Sequence, residues 1–323
     1  MPIKPRKTKN FWKDLNKPFF VLAPMANVTD AVFRKIIAKY GKPDVIWTEF
    51  VSADGLVSDG KKRLIIDLKF SPKERPIVAQ LFSGHPKAMK EAAELVAKLK
   101  FDGLDINMGC PDRSVEKQGG GAAMIRNPKN AIEVIKAARE GAPGIPVTVK
   151  TRLGYSKVDM DWIRTLLMQG LPALTVHLRT RKEMSEVAAH WELMPEIVKL
   201  RNEISPGTLI IGNGDVKTLA EAREKCRQYG CDGIMIGRGI FGTPWFFADL
   251  AKEKTPEERV SILVEHAQLF EKTFKGMKSF DVMKKHFKAY VSGWDNAKEL
   301  RVKLMEAKNS RDVKRIIGES FPK

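Results

Sequence analysis

The sequence predicts an α/β protein, a TIM (β/α)8 barrel followed by a small C-terminal all-helical domain. Two observations carry that prediction. Eight short apolar runs of strand length alternate with amphipathic helical patterns through roughly the first 250 residues, the span of one such barrel. From about Thr255 onward the strand signal stops and four helical patterns take over. A chain of 323 residues that is 43% hydrophobic has enough apolar side chain to fill a core of this size.

The chain divides into 1–18, 19–252 and 253–323. The first part, with Lys4, Arg6, Lys7 and Lys9, reads as a basic N-terminal arm. The barrel part opens with a strand over Phe19 to Ala23, followed by a helix from Ala31 to Tyr40 that Thr29-Asp30 can cap. Asp44 to Trp47 is the second strand, Val51 to Val57 a short helix, and Leu64 to Phe70 an added strand. Pro76 to Phe82 then gives the third barrel strand, and Pro86 to Lys100 a helix with Ala92, Leu95, Val96 and Leu99 on one face. The fourth strand, Asp102 to Ile106, runs into Asn107 and Cys110. Later strands are Pro146 to Val149, Leu174 to Val176, Thr208 to Ile211 and Gly233 to Ile236. Helices over 128–140, 159–169, 191–202 and 217–229 fill the intervals. Thr255-Pro256-Glu257-Glu258 marks the start of the helical domain, with a capping residue, a proline in the first turn and acids at the amino end.

In a barrel of this kind reactive groups gather at the carboxyl ends of the strands. Read in order, those ends hold Ala23-Pro24-Met25, Glu49, Gln80, Asn107 with Cys110, Lys150, His177, Asn213-Gly214-Asp215, and Gly237 with Arg238. Cys110 stands between Gly109 and Pro111, and Gly119, Gly120 and Gly121 follow, residues that let backbone approach a ligand closely. The glycines after strands seven and eight occupy the usual phosphate site of barrels, and Arg238 adds fixed charge. Lys150, Gln80 and Asn107 around such a phosphate suit flavin mononucleotide, but a phosphorylated sugar or pyridoxal phosphate would use the same site.

Lys and Arg number 57 against 39 Asp and Glu, a net charge of +18, which points to an anionic partner with nucleic acid foremost. In the C-terminal part Lys284, Lys285, Lys288, Arg301, Arg311 and Arg315, extended by Lys275, Lys278, Lys303 and Lys314, could track a phosphate backbone. Cys110, Cys226 and Cys231 show no C-x-x-C spacing, so neither a metal site nor a disulfide framework is expected. No leader pattern or membrane-length apolar run is visible. A cytoplasmic monomer without membrane contact is the expectation.

These residues resemble those of the tRNA-dihydrouridine synthases, flavoproteins that reduce the C5=C6 bond of selected uridines in tRNA. The likeness rests on APMANVTD at 23–30, TEFVSADGL at 48–56, VAQLF at 78–82, DINMGCP at 105–111 and GGGAAM at 119–124. It continues through VTVKTRLG at 147–154, VHLRTR at 176–181, IGNGDV at 211–216 and IGRGIFGTPWFF at 236–247. The resemblance implies a barrel carrying FMN, reduced by NADPH, and a helical domain that helps hold tRNA. It makes Cys110 the acid that protonates C5 while hydride reaches C6, and Asn107 the residue that orients the base. It assigns Gln80, Lys150 and His177 to the flavin ring or ribityl chain. Asn213, Gly214, Asp215, Gly237 and Arg238 go to the phosphate region, and Ala23 to Met25 lie against the ring. Arg152, Arg179 and Arg181, near the same mouth, are candidate RNA contacts.

Three positions depart from the family pattern: Asn27 where glycine is commoner, Leu178 in place of a small residue, and His190 where aspartate is usual. A flavin oxidoreductase of a small pyrimidine or enone, and a non-catalytic RNA-binding barrel, are the competing readings. The helical domain and the charge weigh against the first.

Overall fold

Eight parallel strands follow one another around a closed ring in the computed structural model, which describes residues 10–248 and 253–321. They are β1 (Phe19–Leu22), β2 (Val45–Ser52), β3 (Ile77–Phe82), β4 (Gly103–Met108), β5 (Val147–Arg152), β6 (Ala173–His177), β7 (Leu209–Asn213) and β8 (Gly233–Ile236). Phe19 pairs with Gly233 and Val21 with Val45, so β1 joins β8 and β2 and leaves no free edge. The helices are α1 (Ala31–Tyr40), the single turns α2 (Ala53–Leu56) and α3 (Lys61–Leu64), α4 (Pro86–Lys98), α5 (Arg113–Lys117), α6 (Pro128–Gly141), α7 (Met160–Leu167), α8 (Met194–Ile204) and α9 (Leu219–Tyr229). The C-terminal region adds α10 (Pro256–Phe274), α11 (Val282–Tyr290), α12 (Ala297–Met305) and α13 (Ser310–Ser320).

Caps set the helix starts where the sequence placed them. Asp30 accepts from the N–H groups of Val32 and Phe33 at 2.8 and 2.9 Å, and Thr255 forms a reciprocal capping box with Glu258. The strands are buried on both faces, as a barrel with an outer helical layer requires. Outward residues such as Leu22, Ile46, Leu104, Val149 and Ile234 pack under the helices. Inward, Phe19, Val21, Val45, Trp47, Ile211 and Met235 fill one side of the barrel. The side formed by β3 to β6 instead carries Gln80, Asp105, Thr148 and Thr175 in the middle of the barrel, all buried. The interior is therefore polar along one arc and apolar along the other.

Three expectations are corrected. Residues 10–18 are no arm: Phe11–Asp14 form a 3-10 turn, and buried Trp12 packs at a tilt against Trp47, ring centres 5.7 Å apart, as the floor of the barrel. Residues 1–9, including Lys4, Arg6, Lys7 and Lys9, lie outside the described residues. Leu64 to Phe70 is not a strand but the end of α3 and a 3-10 turn over Ile65–Leu68, because β2 pairs directly with β3 and offers no edge to an added strand. That segment is fixed by Arg34, fully buried, which pairs with Glu74 at 2.9 Å and donates to the Thr29 and Lys69 carbonyls. Finally, β2 continues past Trp47 to Ser52 through a register shift, where the Thr48 hydroxyl accepts the Gln80 N–H at 3.1 Å in place of a ladder bond.

The helical region shares one continuous apolar cluster with the outer layer of the barrel. Phe33 of α1 stacks on His266 of α10 at 5.2 Å and lies 4.7 Å from His286 of α11. No helix among the described residues is long and apolar enough to cross a membrane.

Candidate active site

β4 delivers the cysteine loop, and Asn107, its last inward-facing residue, holds that loop from inside. Asn107 Oδ1 accepts the N–H groups of Gly109 and Cys110 at 3.1 and 2.9 Å, while its Nδ2 donates to Gln80 Oε1 at 3.1 Å. Gln80 Nε2 donates to Asp105 Oδ2 at 2.6 Å, and the Thr148 hydroxyl donates to Asp105 Oδ1 at 2.5 Å. A hydrogen-bonded relay thus runs from a buried carboxyl group to the backbone of Cys110. Burial pushes the Asp105 carboxyl up to about 6. From outside, Gly121 at φ +57° packs on the loop so closely that a Cβ would lie 2.6 Å from the Cys110 carbonyl. The Ala122 N–H donates to that carbonyl at 2.9 Å. Gly121 therefore braces the cysteine, where the sequence suggested room for a ligand.

Cys110 is half-buried with a free thiol. Burial pushes that thiol up, so it carries its proton at neutral pH. Beside it on β5, Lys150 is pulled down to about 8 by burial and by the neighbouring Arg152 guanidinium, which leaves it charged at pH 7. His177, at the end of β6, is kept well below its ordinary value by burial and by the cations Lys150, Arg152, Arg179 and Arg238. Its Nε2 lies 3.1 Å from Arg179 Nη1. Because arginine can only donate, Nε2 accepts and the ring proton sits on Nδ1.

Arg152, Arg179 and Arg181, candidates for RNA contact, are committed inside the chain. Buried Arg152 donates to the carbonyls of Gly109 (2.8 Å), Thr180 (3.0 Å) and Met184 (2.8 Å). Arg179, also buried, donates to Val187 O at 2.7 Å and pairs with Asp215. Arg181 forms a two-nitrogen pair with Glu116 and reaches the Pro111 carbonyl at 3.3 Å. All three bind the loop after β6 to its neighbours, so the physical role visible here is positioning. Asp215, at φ 50°, also receives Arg238 Nη2 at 2.8 Å and the Ala189 N–H at 2.9 Å. Its two oxygens aim a pair of guanidinium groups and are spent in doing so.

Ala23, Pro24 and Met25 follow β1, with the Ala23 N–H bonded to Ile236 O at 2.8 Å. Met25 Sδ and Ala23 Cβ face Gly237, each 3.6 Å from where a Cβ there would lie. Asn213 donates to Met235 O at 2.8 Å, and the Gly214 carbonyl accepts from Trp191 Nε1 at 3.0 Å. The departures from family pattern have local explanations. Asn27 adopts φ 55°, the left-handed conformation that glycine takes freely and asparagine tolerates. Leu178 is core, and His190 bonds Glu183 and Glu192 at 3.1 and 2.9 Å.

Among the C-terminal cations, Lys288 and Arg311 are exposed, Lys285 is half-buried, and Lys284 and Arg315 pair with Asp281 and Glu319 on their own helices. Arg301 donates to the Val291 carbonyl at 2.8 Å. Lys278 is turned inward, onto Glu49 and Asp67.

Sequence reasoning passed over Asp105, although a charge at an inward position of an apolar strand was a readable signal. It also passed over Tyr155, which carries Arg126 at 4.3 Å on its ring and Arg181 at 5.5 Å. That grouping spans three loops and left no local trace.

A family model described as dihydrouridine synthase matches residues 21–322. A Bacillus subtilis (strain 168) protein named "Probable tRNA-dihydrouridine synthase 2" is 43% identical over 316 residues, 97% of each chain. A Staphylococcus aureus (strain COL) protein named "Probable tRNA-dihydrouridine synthase" is 42% identical over 315 residues, 96% of this chain and 95% of that one. Among solved structures, histamine dehydrogenase from Rhizobium sp. 4-9 superposes with a TM-score of 0.53 at 12% identity, over 82% of this chain and 51% of that one. A 2-naphthoyl-CoA reductase gives 0.54 at 11%, over 71% and 49%. At such identities these two speak for the barrel fold alone. Fold, cysteine loop and end-to-end sequence identity agree: the chain belongs to the dihydrouridine synthase family.

Proposed function

We propose that this protein is an FMN-dependent tRNA-dihydrouridine synthase that draws on NADPH and reduces the C5=C6 bond of uridines in tRNA, with Cys110 as the proton donor. The observation that carries the reading is the loop of Cys110: a protonated, half-buried thiol on a backbone held by Asn107 and Arg152, at the mouth of a barrel whose buried polar arc leads to it. Names of relatives that are more than 40% identical over nearly the whole chain support the same reaction.

The residues at the mouth fit a flavin. Lys150 presents a desolvated ammonium group with no hydrogen bond or ion pair to any described residue, which suits an anionic edge of a bound ring. His177 offers a ring N–H from Nδ1, and Gln80 stands behind Asn107 on the same arc. Ala23, Met25 and Gly237 line the apolar side with small or pliable groups. Arg238, 64% exposed and aimed by Asp215, would meet the phosphate with Asn213 and Gly214 beside it. A flavin bound here supplies the hydride that reaches C6 of the uracil. Cys110 then gives its thiol proton to C5, Asn107 keeps the sulfur-bearing loop in place, and Arg152 and Arg181 close the loop after β6 over it. A uridine must leave its stack to arrive there, and Lys288, Arg311 and neighbouring cations would offset that by phosphate contacts.

Cys110→Ala tests the assignment. The variant is expected to retain the flavin spectrum and NADPH oxidation but to lose dihydrouridine formation in tRNA by about a hundredfold or more, the range of a removed general acid. Undiminished product would reject Cys110 as the donor. Turnover of a free pyrimidine as fast as tRNA would favour the small-substrate reading.

A further inference from the structure

The helical region reaches the loop after β1 indirectly, through Lys278 and Glu49. Lys278 lies in the turn between α10 and α11, with Nζ 2.9 Å from Glu49 Oε2, 2.7 Å from Asp67 Oδ1 and 5.1 Å from the centre of the Phe274 ring. Its side chain is 14% exposed and that of Glu49 6%. Burial alone would lower the lysine; the two carboxylates reverse that and keep it charged. The other oxygen of Glu49 accepts the backbone N–H of Asn27. Asn27 is the left-handed residue at the end of Ala23–Asn27, the loop whose Met25 packs beside Gly237 on the neighbouring strand end. Within the loop, the Met25 N–H donates to Thr29 Oγ1 at 2.9 Å and the Thr29 N–H returns to Met25 O at 3.0 Å. Lys278, Glu49, Asn27 and Met25 are thus successive links between the helical region and the apolar wall of the mouth.

We propose that Lys278 is a positioning residue through which the helical region fixes the Ala23–Asn27 loop, and with it the affinity of the barrel mouth for flavin. This rests on the flavin reading above. Two alternatives fit the contacts less well. As a simple fastener between barrel and helices, a buried ion pair adds little over apolar groups of the same shape, and an extensive apolar interface already joins the two regions. As an RNA contact, Lys278 would need a free, outward ammonium group, whereas two carboxylates occupy it. What the ion pair does supply is direction: it leaves Glu49 one orientation, in which Oε1 meets a single backbone N–H. The bulge in β2 that turns Glu49 toward that N–H is part of the same device.

The full-length chain tests this by FMN titration, followed through flavin fluorescence, and by tRNA binding, followed by anisotropy. Lys278→Met is expected to weaken FMN binding about tenfold, within the range by which a residue touching neither ligand alters a distant site, while tRNA affinity stays within about twofold. Lys278→Arg, which keeps the charge, should restore most of the FMN affinity. The double variant, Lys278→Met combined with Glu49→Gln, removes the charge of the more deeply buried carboxylate together with that of the lysine, and leaves Asp67, whose side chain is 22% exposed, to water. It should bind FMN no worse than Lys278→Met alone, since both changes cut the same link. An unchanged FMN affinity in Lys278→Met, a loss confined to tRNA binding, or additive losses in the double variant would each overturn the proposal. If the unmodified protein binds no FMN, the flavin reading falls together with it; if only the variants behave like the parent, this inference alone falls.

Discussion

Two of the clusters of buried polar side chains in this molecule, one inside the barrel and one of histidines between the barrel and the helices, are built on opposite principles. In the barrel, Asp105, Gln80, Thr148 and Asn107 match donors to acceptors down to the backbone of Cys110. Between the regions, His266 and His286 face each other at 4.7 Å among Phe33, Phe241 and Tyr290. There both ring nitrogens of His286 and Nε2 of His266 find no partner among the described residues. The first cluster fixes directions, as the proton donor proposed above would require. The second packs imidazoles as neutral aromatic rings, and direction matters little.

The sharpest way to break this contrast is to remove the centre of each cluster. Asp105→Leu strands the donors of Gln80 and Thr148 and removes a buried carboxyl group that interacts electrostatically with Lys150, and should lower stability by about 4 kcal/mol. His286→Phe removes two unsatisfied nitrogens and should leave stability at pH 7 unchanged or up to about 1 kcal/mol higher. Urea midpoints of the two variants, measured side by side, check this; equal losses would erase the distinction.

Acid gives the next largest effect, with opposite signs in the two places. Burial holds His286 at about 3, below the ordinary histidine value near 6.5, so the fold favours the neutral ring. Its contribution is fully present above pH 6.5 and is lost as pH falls toward 3, at up to about 1.4 kcal/mol per pH unit. That amounts to about 2 kcal/mol by pH 5. His286→Phe should therefore gain steadily over the parent as pH falls, and more at pH 5 than at pH 7. Asp105, raised to about 6, favours its protonated form in the fold, so its contribution is present below pH 4 and lost as pH rises through 6. Denaturation curves at pH 7 and 5 separate the two.

Lys150 gives the third test, a functional one. With its ammonium at about 8, flavin retention and turnover should fall above that pH by up to tenfold per unit, before the raised Cys110 thiol ionises. Lys150→Arg should move this alkaline limb upward, because a guanidinium keeps its charge there. A limb that stays in place in pH–rate profiles would assign it to another group.

The contrast also explains what the sequence could reveal. Gln80, Asn107, Lys150 and His177 were legible because each stands at the inward phase of a strand end, where a period of two places it without tertiary knowledge. The strand order followed from the alternation itself. The roles of Arg152, Arg179 and Arg181 were not legible, since a guanidinium at or just beyond a strand end reads alike whether it points at RNA or at a carbonyl on the next loop. Gly121 was misjudged for the same reason: its partner, the Cys110 carbonyl, is eleven residues away and brought close only by the loop's path. Lys278 and Glu49, 229 residues apart, left no local signal at all.

The smallest change probes the barrel cluster alone. Thr148→Val keeps the shape of the side chain and deletes one donor to Asp105, while Gln80 continues to hold the other oxygen. At pH 7 the variant should lose about 1 kcal/mol, the worth of one hydrogen bond to a buried acceptor. The deleted bond favoured the ionised carboxyl, so its removal raises Asp105 further, and the loss should shrink at pH 5, where the group is largely protonated in either protein. His286→Phe has the reverse profile, with little effect at pH 7 and a gain at pH 5. Equal losses for Thr148→Val at both pH values would mean that the hydroxyl serves packing and that the carboxyl it touches does not titrate in this range.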